Sequence, residues 1–231
     1  MKILNKFLYN LRKYLFRNYR ENAIIKTLKK EIILISESKQ KKQNFKILDF
    51  GSGMQPYVIE NLIKELNFNN KKKYTADCYD FYERNILNKI NINKNINFFH
   101  INDLIQNNKY DFILIIDVLH HIGVNNTNQI KSLLTKLSFM GEYIIIKDHF
   151  EKNYISRSLL ILMDFIGNYY NGVKIPKIYF KENNFKKLIY ELNLFEVKRI
   201  TNIYYYTKIW LFFNNPNLHF ISILKLNNEN K

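Results

Sequence analysis

Five acidic side chains stand at or near the ends of short apolar runs: Asp49, Asp77, Asp103, Asp117 and Asp148. The first is followed by Gly51-Ser52-Gly53 and the last by His149. Glycines at that spacing let a backbone approach a nucleoside closely. A dinucleotide site needs G-x-G-x-x-G, with a small last residue for helix–strand packing. Here the sixth position is Pro56, and Asp49 lies where it would repel a pyrophosphate. An acidic residue followed by G-x-G suits instead a ligand that carries a cation and no phosphate. Histidine is the second resource. His120 and His121 follow the Asp117 run, and His149 follows Asp148. An unperturbed imidazole pKa of about 6.5 suits proton removal near neutral pH. His149 with Asp148 beside it is the first choice of base, and His121 the second. His100 and His219 sit beside other apolar runs and are weaker candidates.

The elements that must position these groups follow from the pattern of apolar runs. Phe45–Phe50, Lys73–Asp77, Ile96–Ile101, Phe112–Asp117 and Tyr143–Lys147 read as strands. FILIID is apolar on both faces, as a central parallel strand should be. Helical patterns at Pro56–Leu66, Phe81–Ile92 and Asn126–Ser138 separate the strands. Repeated β–helix–β units predict a doubly wound, mostly parallel α/β sheet. Ligands bind such sheets outside the carboxyl ends of the strands, where the five acids would gather. Asp111 starts its strand and belongs to the opposite edge. After residue 150 come a helix at Tyr154–Tyr170, a second at Phe180–Leu192, and two aromatic-rich strands at Phe195–Tyr206 and His219–Leu226.

Composition narrows the class. The chain has 231 residues and 47% hydrophobic side chains, enough for a large core. The single Cys78 excludes a disulfide framework and any multi-cysteine zinc or iron–sulfur site, and no metal site is assigned. The formal charge is +16, but Asn, Ile and Lys make up 98 residues against only 6 Arg. That bias points to codon usage more than to a surface selected for phosphate, which favours Arg. Residues 1–45 carry a net +9. On a helix, Leu4, Leu8, Leu11 and Leu15 fall opposite Lys2, Lys6, Lys13, Arg17 and Arg20. Two readings stay open for this basic amphipathic stretch: contact with an anionic membrane, or a cap packed on the domain. No run reaches the ~20 apolar residues of a membrane-spanning helix, and no cleavage site is present, so a cytoplasmic protein is expected, peripheral to the inner membrane face if the arm binds lipid.

ILDFGSG, the Asp77 strand, Asp103 and YDFILIIDVLHHI together resemble the motifs of class I S-adenosylmethionine-dependent methyltransferases. The nearest likeness is to the small-molecule branch that includes the ubiquinone/menaquinone-type enzymes. The resemblance implies a seven-stranded sheet with a reversed last strand. It divides the chain into an N-terminal helical arm (1–44) and a methyltransferase domain (45–231) with a substrate lid at 150–180. It also implies S-adenosyl-L-methionine as cofactor. Asp49, Gly51 and Gly53 would form the cofactor loop. Asp77 would hold the ribose hydroxyls, Asp103 the adenine amino group, and Asp117 the methionine side. Asp164 and Asn168, one helical turn apart, would shape the acceptor pocket with Tyr179. The expected acceptor is a small molecule or a lipid- or glycan-linked group, methylated at oxygen. An RNA methyltransferase, suggested by the charge but ranked second because no RNA-binding appendage is visible, and a non-catalytic cofactor-binding protein are the alternatives.

Overall fold

The computed structural model describes residues 18–53, 56–68, 70–81, 93–105, 107–123, 127–168, 173–201, 203 and 218–226. Residues 1–17 of the amphipathic stretch, the helix expected beyond Phe81, the Asn171-Gly172 turn and the connection at 210–217 lie outside them.

Helix α1 (Asn18–Ser38) precedes β1 (Asn44–Phe50), and α2 (Tyr57–Asn67) leads to β2 (Lys73–Asp80). β3 (Ile96–His100) ends in a single 3-10 turn, Ile101–Asp103. β4 (Tyr110–Ile116) runs into a one-turn helix, α3 (Leu119–Ile122), and then α4 (Thr127–Ser138). β5 (Gly141–His149) is followed by α5 (Tyr154–Asn168), α6 (Glu182–Glu191), β6 (Leu194–Ile200) and β7 (His219–Leu226). One seven-stranded sheet has the order β3-β2-β1-β4-β5-β7-β6. Strands β1 to β5 pair in parallel, and β7 is antiparallel to both of its neighbours. This is the expected sheet with its reversed last strand.

The alternation of side chains along each strand builds a core on both faces. Phe112 and Leu114 of β4 face one cluster, while Ile113 and Ile115 face the other. On the first side Ile24, Leu28 and Ile32 of α1 are buried with Ile59, Leu62 and Ile63 of α2. Helix α1 is therefore packed on the sheet layer. On the second side α4 and α6 contribute Ile130, Leu134, Phe185 and Leu188. Asp111, at the start of β4, binds Lys42 Nζ at 2.5 Å and accepts from the Lys46 N–H at 2.9 Å, far from the carboxyl edge. Among the described residues no helix is long and apolar enough to cross a membrane.

Strand order reverses between β1 and β4. Their carboxyl ends diverge there, which opens the crevice that a doubly wound sheet offers a ligand.

Candidate active site

The glycine turn is shaped by backbone geometry. Gly51 has φ +80°, a region that side chains rarely adopt. A Cβ on Gly51 would also lie 2.5 Å from Val118 Cγ2. The Gly51 N–H donates to the Tyr79 carbonyl at 2.8 Å, which ties the turn to the end of β2. The Gly53 N–H donates to Asp80 Oδ2 at 2.7 Å. Asp80, the last residue of β2, thus stands at the carboxyl edge beside the turn.

That finding corrects one placement. The sequence pattern puts Asp77 at the strand end, but β2 runs three residues further. Asp77 pairs in register with Leu48 and Asn97, mid-strand. It is buried and already engaged by Lys46 Nζ at 2.6 Å, Asn97 Nδ2 at 2.9 Å and the Tyr110 hydroxyl at 3.0 Å. Asp103 lies in the turn after β3, as expected. His100 caps that turn, its Nδ1 accepting from the Asn102 N–H.

Asp49 is buried, and burial together with nearby Asp80 pushes its carboxyl up to about 7. Asp117 is the opposite case. Burial works against its charge, but Arg20 and then Lys147 outweigh burial and hold the carboxyl well below the usual carboxylate range. Both cations contact it directly. Asp117 has φ +56°, a costly conformation away from glycine. Its N–H donates to the Lys147 carbonyl at 2.9 Å. Arg20 is carried by α1, so the N-terminal helix supplies a guanidinium to this edge. Lys147 is fully buried, and that burial lowers its ammonium to about 8.

Four histidine rings follow one another beside Asp117. Centroids are 4.1 Å apart for His121 and His120, 5.1 Å for His120 and His149, and 4.6 Å for His149 and His219. Because β5 lies next to β4, Asp148 reaches α3: His120 Nδ1 is 2.6 Å from Asp148 Oδ1. His149 Nδ1 is 3.4 Å from the same oxygen. Asp148 therefore orients His120 more closely than His149. Burial and then Lys147 lower His149 to about 4, which makes it a weak base at neutral pH. For His120 burial is outweighed by Asp148, so its pKa is raised, and its buried Nε2 makes no hydrogen bond among the described residues. His219 is buried, and burial holds it well below the ordinary imidazole value.

A cavity of about 210 Å3 unites these groups, lined by Arg20, Asp49, Gly51, Asp117, His120 and Asp164 among others. Asp164 of α5 faces His120 Nε2 at 3.4 Å and accepts from the buried Tyr179 hydroxyl. The segment carrying Tyr179 is held by the Glu151 carboxylate, which takes the Tyr179 N–H at 3.1 Å. Asn168 ends α5, and its side chain lies outside the described residues. Sequence reasoning alone does not point to Arg20, which reads as part of the basic face, or to Asp80; His120 is a candidate base there, behind His149 and His121.

No protein-family profile and no curated protein sequence matches the chain. Solved structures do. Magnesium protoporphyrin IX methyltransferase (ChlM) from Synechocystis PCC 6803, with bound SAH, matches with a TM-score of 0.54 at 12% identity, over 90% of this chain and 85% of that one. A putative sarcosine dimethylglycine methyltransferase from Galdieria sulphuraria gives 0.54 at 14% identity, over 87% and 86%. The mitomycin 7-O-methyltransferase MmcR gives 0.53 at 11% identity, over 79% of this chain but 49% of that one. The chain thus has the α/β fold of the class I S-adenosylmethionine-dependent methyltransferases.

Proposed function

We propose that the chain transfers the methyl group of S-adenosylmethionine to an oxygen of a small-molecule, or lipid- or glycan-linked, acceptor of the kind used by the ubiquinone/menaquinone-type branch. The observation that carries this reading is the rim at the β1/β4 crevice: a Gly51–Gly53 turn braced by Asp80, with Asp49 and Asp117 beside it. The donor set fits the cofactor. Gly51 has no room for a Cβ because Val118 packs against it, so the turn keeps its bare backbone. The Ser52 hydroxyl in the same turn is buried with no hydrogen-bond partner among the described residues. Asp49 is a buried carboxyl in want of a cation.

When bound, the cofactor supplies a methyl group on a positively charged sulfur. Asp80, in the place first given to Asp77, would hold the ribose hydroxyls, and Asp103 the adenine amino group. Asp49 and Asp117 would face the cationic methionine end, and Arg20 its carboxylate. Asp164 and Tyr179 would shape the acceptor pocket with Asn168. His120, oriented by Asp148, aims Nε2 at that pocket and is the group that activates the acceptor oxygen, the role first given to His149 and His121. Positioning two reactants in this way lowers the barrier by several kcal/mol, and an activating group adds about 10²–10⁴-fold. A seat on the inner membrane face through the basic stretch of residues 1–20, less the inward-turned Arg20, completes the reading.

The test is a transfer assay with methyl-labelled cofactor across metabolite, lipid and glycan extracts. Label should enter a small acceptor, and His120→Ala should cut turnover at least 100-fold with cofactor affinity kept within about twofold. Label entering RNA alone would overturn the acceptor class. No transfer to any fraction would leave a cofactor-binding protein without turnover.

A further inference from the structure

The acceptor side of the cavity holds more than a base needs. His120 and His121 are adjacent on α3, and Asp164 faces them from α5. One ligand atom from each of these three residues lies within 4.8 Å of the other two. The ring nitrogens are sorted by what stands behind them. His121 Nδ1 is 3.2 Å from the Lys174 carbonyl oxygen, which can only accept, so Nδ1 carries the proton and Nε2 the lone pair. His120 Nδ1 is 2.6 Å from the Asp148 carboxylate, which sorts its nitrogens the same way in the neutral ring. A carboxylate behind one imidazole and a carbonyl behind the other is the outer shell that metal-bound histidines use. Among the described residues His120 Nε2 is buried without a hydrogen bond, in a residue only 1% exposed. It lies 3.4 Å from Asp164 Oδ2, close to the separation of about 3.3 Å between two ligands of a tetrahedral ion at ~2.0–2.1 Å. The Asp148 and Asp164 carboxylates beside the two rings also supply negative charge for a divalent cation to offset.

We infer that His120, His121 and Asp164 form a three-ligand site for a divalent transition metal such as zinc, with its fourth position open to the cavity. An ion there would bind and polarise the acceptor oxygen, so His120 would act through the metal instead of as a free base. The metal binding stands without the methyl-transfer reading; the role given to the ion rests on it.

The experiment uses the full-length protein, stripped with chelator and titrated with Co2+ and then Zn2+. One equivalent of Co2+ should bind with the visible absorption of a tetrahedral centre, and Zn2+ should displace it. His121→Ala and Asp164→Asn should each weaken uptake more than tenfold, and Asp148→Asn by 10–100-fold. Far-UV circular dichroism and melting identify any variant that has unfolded. His121 lines the cavity without being part of the closed core, so that variant keeps the comparison available. No stoichiometric uptake, or equal affinity in wild type and all folded variants, overturns the site. Calorimetry with S-adenosylmethionine on the same samples separates the two claims. Cofactor binding without metal uptake removes the metal alone, whereas metal uptake without cofactor binding removes the methyl-transfer reading and leaves the metal site standing.

Discussion

Burial and Asp80 together raise the Asp49 carboxyl to about 7, from an ordinary value of 3.8. The folded state therefore binds the proton more tightly than the unfolded chain. Stability from this group is fully present below the ordinary value and is lost as pH rises through about 7. At pH 8 the buried charge is a standing cost, on the order of 4 kcal/mol by the shift alone. Asp49→Asn keeps the shape and removes the charge. Its melting temperature should exceed wild type by several degrees at pH 8 and by clearly less at pH 5, while cofactor affinity falls at least tenfold. An equal effect at both pH values would show that charge burial is not what Asp49 contributes. A carboxylate kept where it destabilises the empty protein makes physical sense if a cation arrives to offset it. Two misplaced residues at this scale have physical causes. Asp77 looked like a strand end because a polar side chain followed an apolar run, yet Lys46, Asn97 and Tyr110 satisfy it mid-strand. His120 was passed over because its partner, Asp148, lies on β5, and only the β4–β5 pairing brings the two together.

At the scale of elements, the strands were legible because parallel, doubly covered strands are continuous apolar runs. KILDF, FILII and YIIIK each fall within the observed strands β1, β4 and β5. The role of α1 was not legible. The sequence pattern does not say where its apolar side chains pack, and only the structure shows Ile24, Leu28 and Ile32 buried with Ile59, Leu62 and Ile63 of α2, while the Leu4–Leu15 stripe lies outside the described residues. The same helix carries Arg20 to Asp117. Residues 1–17 and α1 should therefore separate in a truncation series. Removing 1–17 should leave the melting temperature within a few degrees and abolish binding to anionic vesicles. Removing 1–38 strips several fully buried aliphatic side chains, each worth about 2–5 kcal/mol, and should unfold the chain. Sedimentation with vesicles and thermal melts check both arms. Vesicle binding that survives loss of 1–17 would exclude that segment as the membrane contact.

For the whole molecule, the net charge of +16 is a poor guide to the ligand. The site has its own balance, with Asp49, Asp80, Asp117, Asp148 and Asp164 set against Arg20 and Lys147. A basic protein thus presents a locally acidic crevice, suited to a cationic cofactor. The sheet order and the reversed β7 place that crevice at the switch between β1 and β4, and the methyltransferase fold follows from the same topology. The acceptor is less legible, because the groups that face it come from α3, α5 and the segment before α6, whose juxtaposition no local spacing encodes. The central claim, that this crevice binds S-adenosylmethionine, is tested most directly by calorimetric titration of the cofactor and of S-adenosylhomocysteine into the full-length chain and its Asp80→Ala variant. One saturable site is predicted in the wild type, weakened more than tenfold, or about 1.4 kcal/mol, in a variant that still melts cooperatively. Absence of binding heat, or equal affinity in the two proteins, would contradict it.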